Sequence, residues 1–292
     1  MKNDLILGII GNTGPEADET LQTLIRQECI KRGASKDQDF MPMVVVKNPR
    51  ISDRTLAILN GETSPAKGIL ESCSLLAQCN CSFAALPSNT SHYFFEEYQS
   101  QTGIYIFDII GLTINHVKNI GVDAVGLLAT TPTVQTKLFE KRFDEEGIRV
   151  VIPDAETQEK NVQAAIYGTS VPGGDHKQRL SDGLKAGNKA LGLKRVSEAV
   201  EKLNSEQGVE VFILGCTEIS IISGELTERH PGIQFVDPMR LLAAECVQFY
   251  EDVKSRINHM GTNALDPMPD LVQIKREAAV EYVARKYVAS KS

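Results

Sequence analysis

The sequence lacks the features typical of membrane, secreted and nucleic-acid-binding proteins. Its 292 residues include no Trp and only six Cys, and 38 Asp and Glu outnumber 31 Lys and Arg, for a formal net charge of -7. No segment approaches the ~20 apolar residues of a membrane helix. A nucleic-acid partner is disfavoured because phosphate binding needs a basic surface. A disulfide framework is disfavoured by so few cysteines in a chain of this length.

The first residues of the sequence predict where the protein is located. The first residues, MKNDLILGIIGNTG, hold an apolar run too short for a signal peptide and no small-residue cleavage site, so residues 5 to 10 are predicted to form a strand. We therefore expect a cytoplasmic protein.

Cys79 and Cys81 suggest paired ligands, but a tetrahedral zinc site needs a second pair that the sequence lacks, so no metal is expected. Buried, small hydrophobic side chains are predicted for Cys29, Cys73, Cys79, Cys81 and Cys246.

Apolar runs alternate with helical patterns along most of the chain. This alternation is typical of parallel sheets with crossover helices on both faces. We predict an α/β protein with two pseudo-symmetric lobes, each a mostly parallel sheet flanked by helices, and a ligand cleft between them. The lobes are predicted at 1–107 with 238–292, and at 108–237. Strands are predicted near residues 5–10, 43–47, 82–86, 104–107, 124–129, 148–152, 209–214 and 233–236.

Two segments interrupt the regular pattern. Residues 168–183, GTSVPGGDHKQRLSDG, are rich in Gly, Ser and Pro and are predicted to form a surface excursion. Residues 266–292 have Leu271, Ile274 and Ala278 at helical spacing, followed by Val280 and Val283. They are predicted to form an amphipathic helix that packs on its own lobe, with a dimer contact as the alternative.

The first predicted strand runs into a glycine-rich turn, GIIGNTGPEAD. With Pro15 at the first helical position, this turn is suited to hold an anion at a helix N-terminus. The turn is neither a Walker loop nor a G-x-G-x-x-G motif. The second strand ends in Lys47 and Asn48, where a dinucleotide site would have an acidic residue for a ribose. A small anionic ligand is therefore favoured over a dinucleotide.

Further polar turns follow other predicted strands: KNPRISDRT, PSNTSH, ATTPT and GCTE. Because ligands bind beyond the carboxyl ends of parallel strands, these turns are expected to line one cleft. Arg54 could grip a carboxylate there, with a surface ion pair to Asp53 as the equally weighted alternative. A helix N-terminus at Cys216 would lower the pKa of its thiol and make it a usable base, whereas the alternative is a structural cysteine. His92 is interpreted as a capping or packing residue.

At these turns the sequence resembles the aspartate/glutamate racemase superfamily, most closely its cofactor-independent aspartate racemases. The resemblance extends in order from the first strand to about residue 250. GNTGPEA resembles the family's GGMGPxA, NPRISDRT resembles NPxIPDRT, and GLLATTPT resembles GLLATTGT. GLKAGN, LGCTEIS and VDPM resemble the family's GVKAGN, GCTE followed by an apolar residue, and IDPM.

The resemblance implies an isomerase that uses neither pyridoxal phosphate nor metal. In that family two thiols, one from each lobe, face each other across the substrate; one removes the Cα proton and the other returns a proton to the opposite face. Cys216 would be the second-lobe acid/base, while Arg54 and Lys185 would recognise the side-chain carboxylate of an aspartate or glutamate. A homodimer is also implied. The α-carboxylate and amino group would be bound by Asn89, Thr90, Thr130, Thr131, Thr133 and Thr217. Asn12, Thr13 and Glu218 complete the predicted substrate-binding set.

Ser88 stands where the family has its first catalytic cysteine, because PSNTSH replaces PCNTAH. A hydroxyl is a far weaker acid than a thiol, so two-thiol racemisation is impaired. Three interpretations remain open: a racemase, with Ser88 natural or an engineered replacement of cysteine; a one-thiol lyase or isomerase of the same superfamily; and a non-catalytic binder of an acidic amino acid. We favour them in that order.

Overall fold

A computed structural model describes residues 5–14, 16–171 and 178–260. Within these residues each apolar run predicted as a strand is one, with ends shifted by one or two residues. The strands are Leu7–Gly11 (β1), Met43–Lys47 (β2), Phe83–Ala85 (β3), Tyr105–Ile106 (β4), Ala124–Leu128 (β5), Arg149–Val151 (β6), Val211–Leu214 (β7) and Gln234–Val236 (β8).

The strands form two four-stranded sheets that repeat one topology. The first has the order β2-β1-β3-β4 and the second β6-β5-β7-β8, and every neighbouring pair is parallel. The predicted fold class is thus confirmed. Corresponding strands in the two sheets are β1 and β5, β2 and β6, β3 and β7, and β4 and β8. Turns that follow corresponding strands therefore occupy equivalent positions.

Helices connect the strands, as parallel neighbours require. The α-helices are Ala17–Lys31 (α1), Arg54–Asn60 (α2), Ala66–Gln78 (α3), Phe95–Gln99 (α4), Ile109–Ile120 (α5), Thr131–Gln135 (α6), Glu140–Asp144 (α7), Ala155–Thr157 (α8), Ala164–Tyr167 (α9), Lys189–Gln207 (α10), Ser223–Arg229 (α11) and Pro238–Met260 (α12). Short 3-10 helices span Asp37–Asp39, Thr90–Phe94, Leu184–Ala186 and Ile219–Ile222, and a π-helix spans Gln158–Gln163. In the described part of the chain, no helix combines the length and apolar character needed to cross a bilayer.

One apolar cluster extends from the first sheet into the second. Phe249 of α12 packs its ring 4.8 Å from that of Phe83 and 5.4 Å from that of Phe107, between ring centres. Leu127 and Ile213 of the second sheet belong to the same buried cluster. Helix α12 also packs on α1 and α5. The two sheets are thus held by a shared core, while the proposed division into 1–107 with 238–292 and 108–237 remains a prediction.

The excursion after α9 is closed at its base. Ser170 pairs antiparallel with Arg179. The carboxylate of Asp182 accepts hydrogen bonds from the backbone N–H and the hydroxyl of Thr169, both over 2.7 Å, and from Arg195 over 3.0 Å. This network joins the two ends of the excursion. Residues 172–177, the predicted helix of 266–292 and the prediction for Pro15 lie outside the described residues.

The cysteines other than Cys216 are buried with one exception. Cys29, Cys73, Cys81 and Cys246 are buried, as expected, but Cys79 is exposed. The prediction for Cys79 was wrong because this residue caps the carboxyl end of α3, where the chain turns on the surface before β3.

Candidate active site

The candidate site lies where both sheets present the carboxyl ends of their central strands. The chain leaves β1 toward one edge of its sheet and β3 toward the other, and β5 and β7 do the same. Such switch points form ligand-binding crevices in open parallel sheets. Thr13 follows β1 and Ser88 follows β3, while Thr130 follows β5 and Cys216 follows β7. The repeated topology therefore places Ser88 and Cys216 at equivalent turns of the two sheets.

A small cavity opens between these turns. The lining is almost entirely polar and comes from both halves of the chain: Thr13, Arg54, Thr55, Ser88, Asn89, Thr90, Thr130, Tyr167, Lys185, Gly215, Cys216, Thr217 and Glu218.

The Cys216 thiol is held by a charged network. Cys216 Sγ donates a hydrogen bond to Glu218 Oε2 over 3.0 Å, and Thr217 Oγ1 donates to the same oxygen over 3.2 Å. The other oxygen, Oε1, lies 2.8 Å from Lys185 Nζ. The Lys185 ammonium also lies 4.9 Å from the centre of the Tyr167 ring, a distance suited to a cation–π contact. The carboxylate thus bridges the thiol and the ammonium.

The glycine turn after β1 makes room for this carboxylate. A Cβ at Gly14 would lie 2.7 Å from Glu218 Oε1, closer than such contacts occur. Gly14 belongs to the first half of the chain and Glu218 to the second. The glycine therefore allows Glu218 to approach the opposite turn, which a side chain at position 14 would obstruct.

The predicted lowering of the Cys216 pKa is wrong. Burial raises the pKa of the thiol well above its usual range, and the Glu218 carboxylate raises it further, against a smaller lowering by Lys185. The helix that follows is a four-residue 3-10 turn, Ile219–Ile222, so the thiol does not lie at the N-terminus of an α-helix. Burial opposes the ionisation of Glu218, but Lys185 and the thiol hydrogen bond hold its pKa below the usual range. The resting state is thus a thiol beside a carboxylate.

Ser88 has a hydrogen-bonding environment without a base. Its Oγ accepts from Ser91 Oγ over 2.7 Å and from the Ser91 backbone N–H over 3.3 Å. His92 is close, but its Nδ1 lies 2.8 Å from the Ser88 carbonyl oxygen and not at the hydroxyl. Burial lowers the pKa of His92, so the imidazole is neutral and packs as predicted. The Ser88 hydroxyl is left free to donate a proton into the cavity but has nothing to activate it.

Asn89 is a buried amide that lacks partners. The residue is 3% exposed, and in the described structure neither Oδ1 nor Nδ2 has a hydrogen-bond partner. Leaving such a group unpaired costs about 1–3 kcal/mol. An amide that lines a cavity and offers both a donor and an acceptor is suited to a ligand that has both kinds of group.

A chain of threonine hydroxyls connects the two halves of the cleft. Thr133 Oγ1 lies 3.0 Å from Thr90 Oγ1 and 3.0 Å from Thr130 Oγ1. Thr90 follows β3 and Thr130 follows β5, so the contact joins one turn of each sheet. Thr133 itself lies behind the cavity wall, where it fixes the orientation of two hydroxyls that do line it.

Arg54 points into the cleft and not to a surface ion pair. Its guanidinium donates hydrogen bonds to the backbone carbonyls of Thr13 and Ser52. Asp53, the alternative partner, instead caps α2 by accepting from the Leu56 N–H over 2.9 Å. Among the described residues, no carboxylate lies within ion-pair distance of Arg54. The guanidinium therefore offers the cavity a positive charge that is not neutralised by any carboxylate in the described part of the chain.

Two further predicted residues lie outside the lining. Asn12 is exposed with a positive φ of 62°, and its backbone N–H donates to Asp18 Oδ1 over 3.3 Å. The Thr131 backbone N–H donates to Gln163 Oε1 over 2.9 Å. Both residues fix the shape of their turns.

Sequence reasoning missed three lining residues, Thr55, Tyr167 and Gly215. Thr55 and Gly215 belong to the turns KNPRISDRT and GCTE, which were predicted to line the cleft, but were not named individually. The only signal for Tyr167 was its position just before the 168–183 excursion.

Fold and cleft together define an α/β protein with a polar cavity between two equivalent turns. The family model described as Asp/Glu/Hydantoin racemase matches residues 6–246, and the chain belongs to this family. The family resemblance seen in the separated turn motifs is thus confirmed.

Known relatives support the same assignment. The broad specificity amino-acid racemase RacX of Bacillus subtilis is 25% identical over 249 residues, which cover 84% of this chain and 98% of the relative. Among solved structures, Picrophilus torridus aspartate racemase aligns with a TM-score of 0.68 and 24% identity, over 85% of this chain and 94% of the other. A Francisella tularensis glutamate racemase in complex with D-glutamate aligns with a TM-score of 0.54 and 14% identity, over 87% of this chain and 83% of the other. These structures share the fold.

Proposed function

We propose that this chain acts on an acidic amino acid, aspartate in the first place, by removing and returning its Cα proton without pyridoxal phosphate or metal. Cys216 is the acid/base on one face of the substrate, and Ser88 stands at the equivalent position for the other face. The observation that carries the proposal is the pairing of a thiol turn with a hydroxyl turn across a polar cavity. A cytoplasmic location and a homodimer, expected from the sequence, remain predictions.

The unpartnered groups of the cavity match the groups of an acidic amino acid. Asn89 Nδ2 can donate to the α-carboxylate while Oδ1 accepts from the ammonium group. Donors on the α-carboxylate stabilise the negative charge that develops there when the Cα proton leaves. Arg54 can pair with the side-chain carboxylate in bidentate fashion. Burial of Asn89 strengthens its interactions because the amide is shielded from water.

Ser88 limits the second half of the reaction. Without an adjacent base its hydroxyl cannot alternate between protonated and ionised forms as a thiol does. We therefore propose that exchange on the Cys216 face is faster than inversion. Of the six cysteines, Cys216 alone lines the cavity. This observation favours one-thiol lyase or isomerase chemistry as the second candidate function.

Proton NMR in deuterated buffer tests the proposal. We expect the α-proton signal of one aspartate enantiomer, the L form by analogy with the family, to disappear faster than that of the other, with slow formation of the opposite enantiomer. Calorimetry with both enantiomers measures binding in parallel. Binding of aspartate with no loss of either α-proton signal would contradict the racemase proposal and favour the binder.

Replacing Arg54 by alanine is expected to weaken aspartate binding about tenfold to a hundredfold, because a hydrogen bond to a charged group is worth about 1.5–3 kcal/mol. Binding of asparagine, which lacks the side-chain charge, is expected to change less than threefold. Isothermal calorimetry measures both.

Arg50→Ala is the matched control, since Arg50 is an exposed arginine four residues away that lies 3.4 Å from Glu71. Equal losses for aspartate and asparagine in Arg54→Ala would show that Arg54 does not recognise the side chain.

A further inference from the structure

The turn after β3 differs from the family motif at two positions, and the two side chains are in contact. PSNTSH has Ser88 in place of the cysteine and Ser91 in place of the alanine of PCNTAH. Ser91 Oγ donates a hydrogen bond to Ser88 Oγ over 2.7 Å. Ser88 lines the cavity and is 5% exposed, whereas Ser91 lies outside the lining with no exposed surface. The second difference therefore supplies a direct partner for the first.

The hydrogen bonds at Ser88 Oγ determine what its hydroxyl can do. The Ser91 hydroxyl and, over 3.3 Å, the Ser91 backbone N–H both donate to this oxygen, so both of its lone pairs are used. Its one hydrogen remains, and the described residues provide no acceptor for it. Because both donors belong to the buried Ser91, the remaining direction at the oxygen leads toward the cavity. The Ser88 hydroxyl is therefore a donor aimed at a bound ligand.

The backbone of the turn holds Ser88 in this orientation. Its N–H donates to the Leu86 carbonyl over 2.8 Å, and its own carbonyl oxygen lies 2.8 Å from His92 Nδ1. A donor that is fixed in advance needs no reorganisation when charge develops on a ligand, which is how oxyanion holes act. Donation by Ser91 also polarises the Ser88 O–H bond and strengthens the hydrogen bond that it makes.

We propose that Ser88 is a fixed hydrogen-bond donor to the negative charge that develops on the substrate when Cys216 removes the Cα proton, and that Ser91 is the positioning residue that orients it. This inference rests on the proposed function and deepens it. No proton leaves Ser88 in this role, so the role needs no base beside its hydroxyl. The serine pair thus stabilises a planar, charged intermediate without providing a second acid/base.

The contact between the two serines also bears on the origin of Ser88. A buried hydroxyl is costly without a hydrogen bond, and a thiol sulfur is a weak acceptor. The Ser91 hydroxyl is therefore better matched to a serine than to a cysteine at position 88. An engineered replacement would change position 88 alone, whereas this turn differs at both members of the contact. The pair thus favours a natural Ser88.

Two matched dianions separate stabilisation of developing charge from ordinary binding. Succinate and the nitronate of β-nitropropionate both carry two negative charges and lack the amino group. Only the nitronate has a planar carbon that shares its charge, as the Cα carbanion does. Isothermal calorimetry measures both ligands at one alkaline pH at which the nitronate persists. The unmodified chain is expected to bind the nitronate at least about tenfold more tightly than succinate. Equal affinities would overturn the proposal.

Removal of either hydroxyl is expected to weaken binding of the nitronate and to spare succinate. Ser88→Ala lowers the nitronate affinity about thirtyfold and Ser91→Ala about tenfold, in the range of hydrogen bonds to charged groups, while the succinate affinity changes less than about twofold. In the Ser88→Ala chain, Ser91→Ala is expected to have no further effect, because the donor that it positions is gone. Additive losses in the double variant, or equal losses for both ligands, would show that Ser91 has only a structural role.

Ser197→Ala is the matched control. It removes a buried hydroxyl of α10 that lies outside the cavity lining and has no hydrogen-bond partner in the described structure. Neither ligand affinity is expected to change. Circular dichroism confirms that each variant is folded.

Exchange of the α-proton of L-aspartate distinguishes a failure of this inference from a failure of the proposed function. Exchange is expected to fall about tenfold in both Ser88→Ala and Ser91→Ala, while the affinity for aspartate stays within about threefold. Unchanged exchange in both variants would overturn the donor role and leave the racemase proposal intact. Nitronate selectivity that depends on both serines, without exchange in any variant, would support the donor role and contradict the racemase proposal.

Discussion

Replacing Cys216 by alanine is expected to lower α-proton exchange with either enantiomer of aspartate about a thousandfold. Of the six cysteine thiols it is the one that lines the cavity, and a positioned acid/base contributes roughly 10²–10⁴-fold to a proton transfer. Ser88 is not expected to compensate, because its partners are a hydroxyl and an amide N–H. The α-proton NMR signal in deuterated buffer measures the loss.

Binding and folding controls make this result specific. Asn89 and Arg54 remain in the Cys216→Ala variant, so its affinity for aspartate is expected to stay within about threefold of the unmodified chain. Cys79→Ala removes an exposed thiol far from the cavity lining and is expected to leave exchange unchanged. Exchange that survives in Cys216→Ala at more than a tenth of its original rate would show that another group removes the proton.

The sequence was most informative where one local rule determined the structure. Uninterrupted apolar runs are typical of parallel strands covered on both faces, and the runs before Lys47 and Ala129 are strands. The second of these is buried, whereas the first is an edge strand whose residues are only partly buried. Polar residues directly after these runs then had to meet at the carboxyl edge of the sheets. This rule is sufficient to predict that Thr13, Ser88 and Cys216 line one cavity, and they do.

The pairing of charges could not be read from the sequence in the same way. Lys185 and Glu218 are 33 positions apart, and their contact depends on the closed base of the excursion and on the space left by Gly14. The expected effect on the Cys216 pKa is reversed because burial, and after it the Glu218 carboxylate, raise the pKa of the thiol more than Lys185 lowers it. Tyr167 was missed for a related reason: it ends α9, and its contacts with Lys185 and Thr55 join residues that are far apart in the sequence. Contacts between residues far apart in the sequence, and their effects on pKa, are therefore the part of this site that the sequence did not predict.

Replacing Ser88 by cysteine is expected to increase conversion of L- to D-aspartate about a hundredfold or more. The new thiol lies at the turn equivalent to that of Cys216, so a proton can be removed from one face and returned to the other. Exchange on the Cys216 face is expected to change only a few-fold, because Cys216, Glu218 and Lys185 are untouched. Chiral chromatography measures inversion, and NMR measures exchange in the same samples.

The double variant Ser88→Cys with Cys216→Ala provides the decisive control. It again holds one thiol in the cavity, but on the opposite turn, so the enantiomer that exchanges faster is expected to be the reverse of that in the unmodified chain. Ser88→Ala adds no thiol and is expected to show no gain in inversion. If the same enantiomer exchanges faster in the double variant as in the unmodified chain, the two turns do not place their thiols on opposite faces of Cα. The symmetry of the two sheets would then describe the fold but not the chemistry of the site.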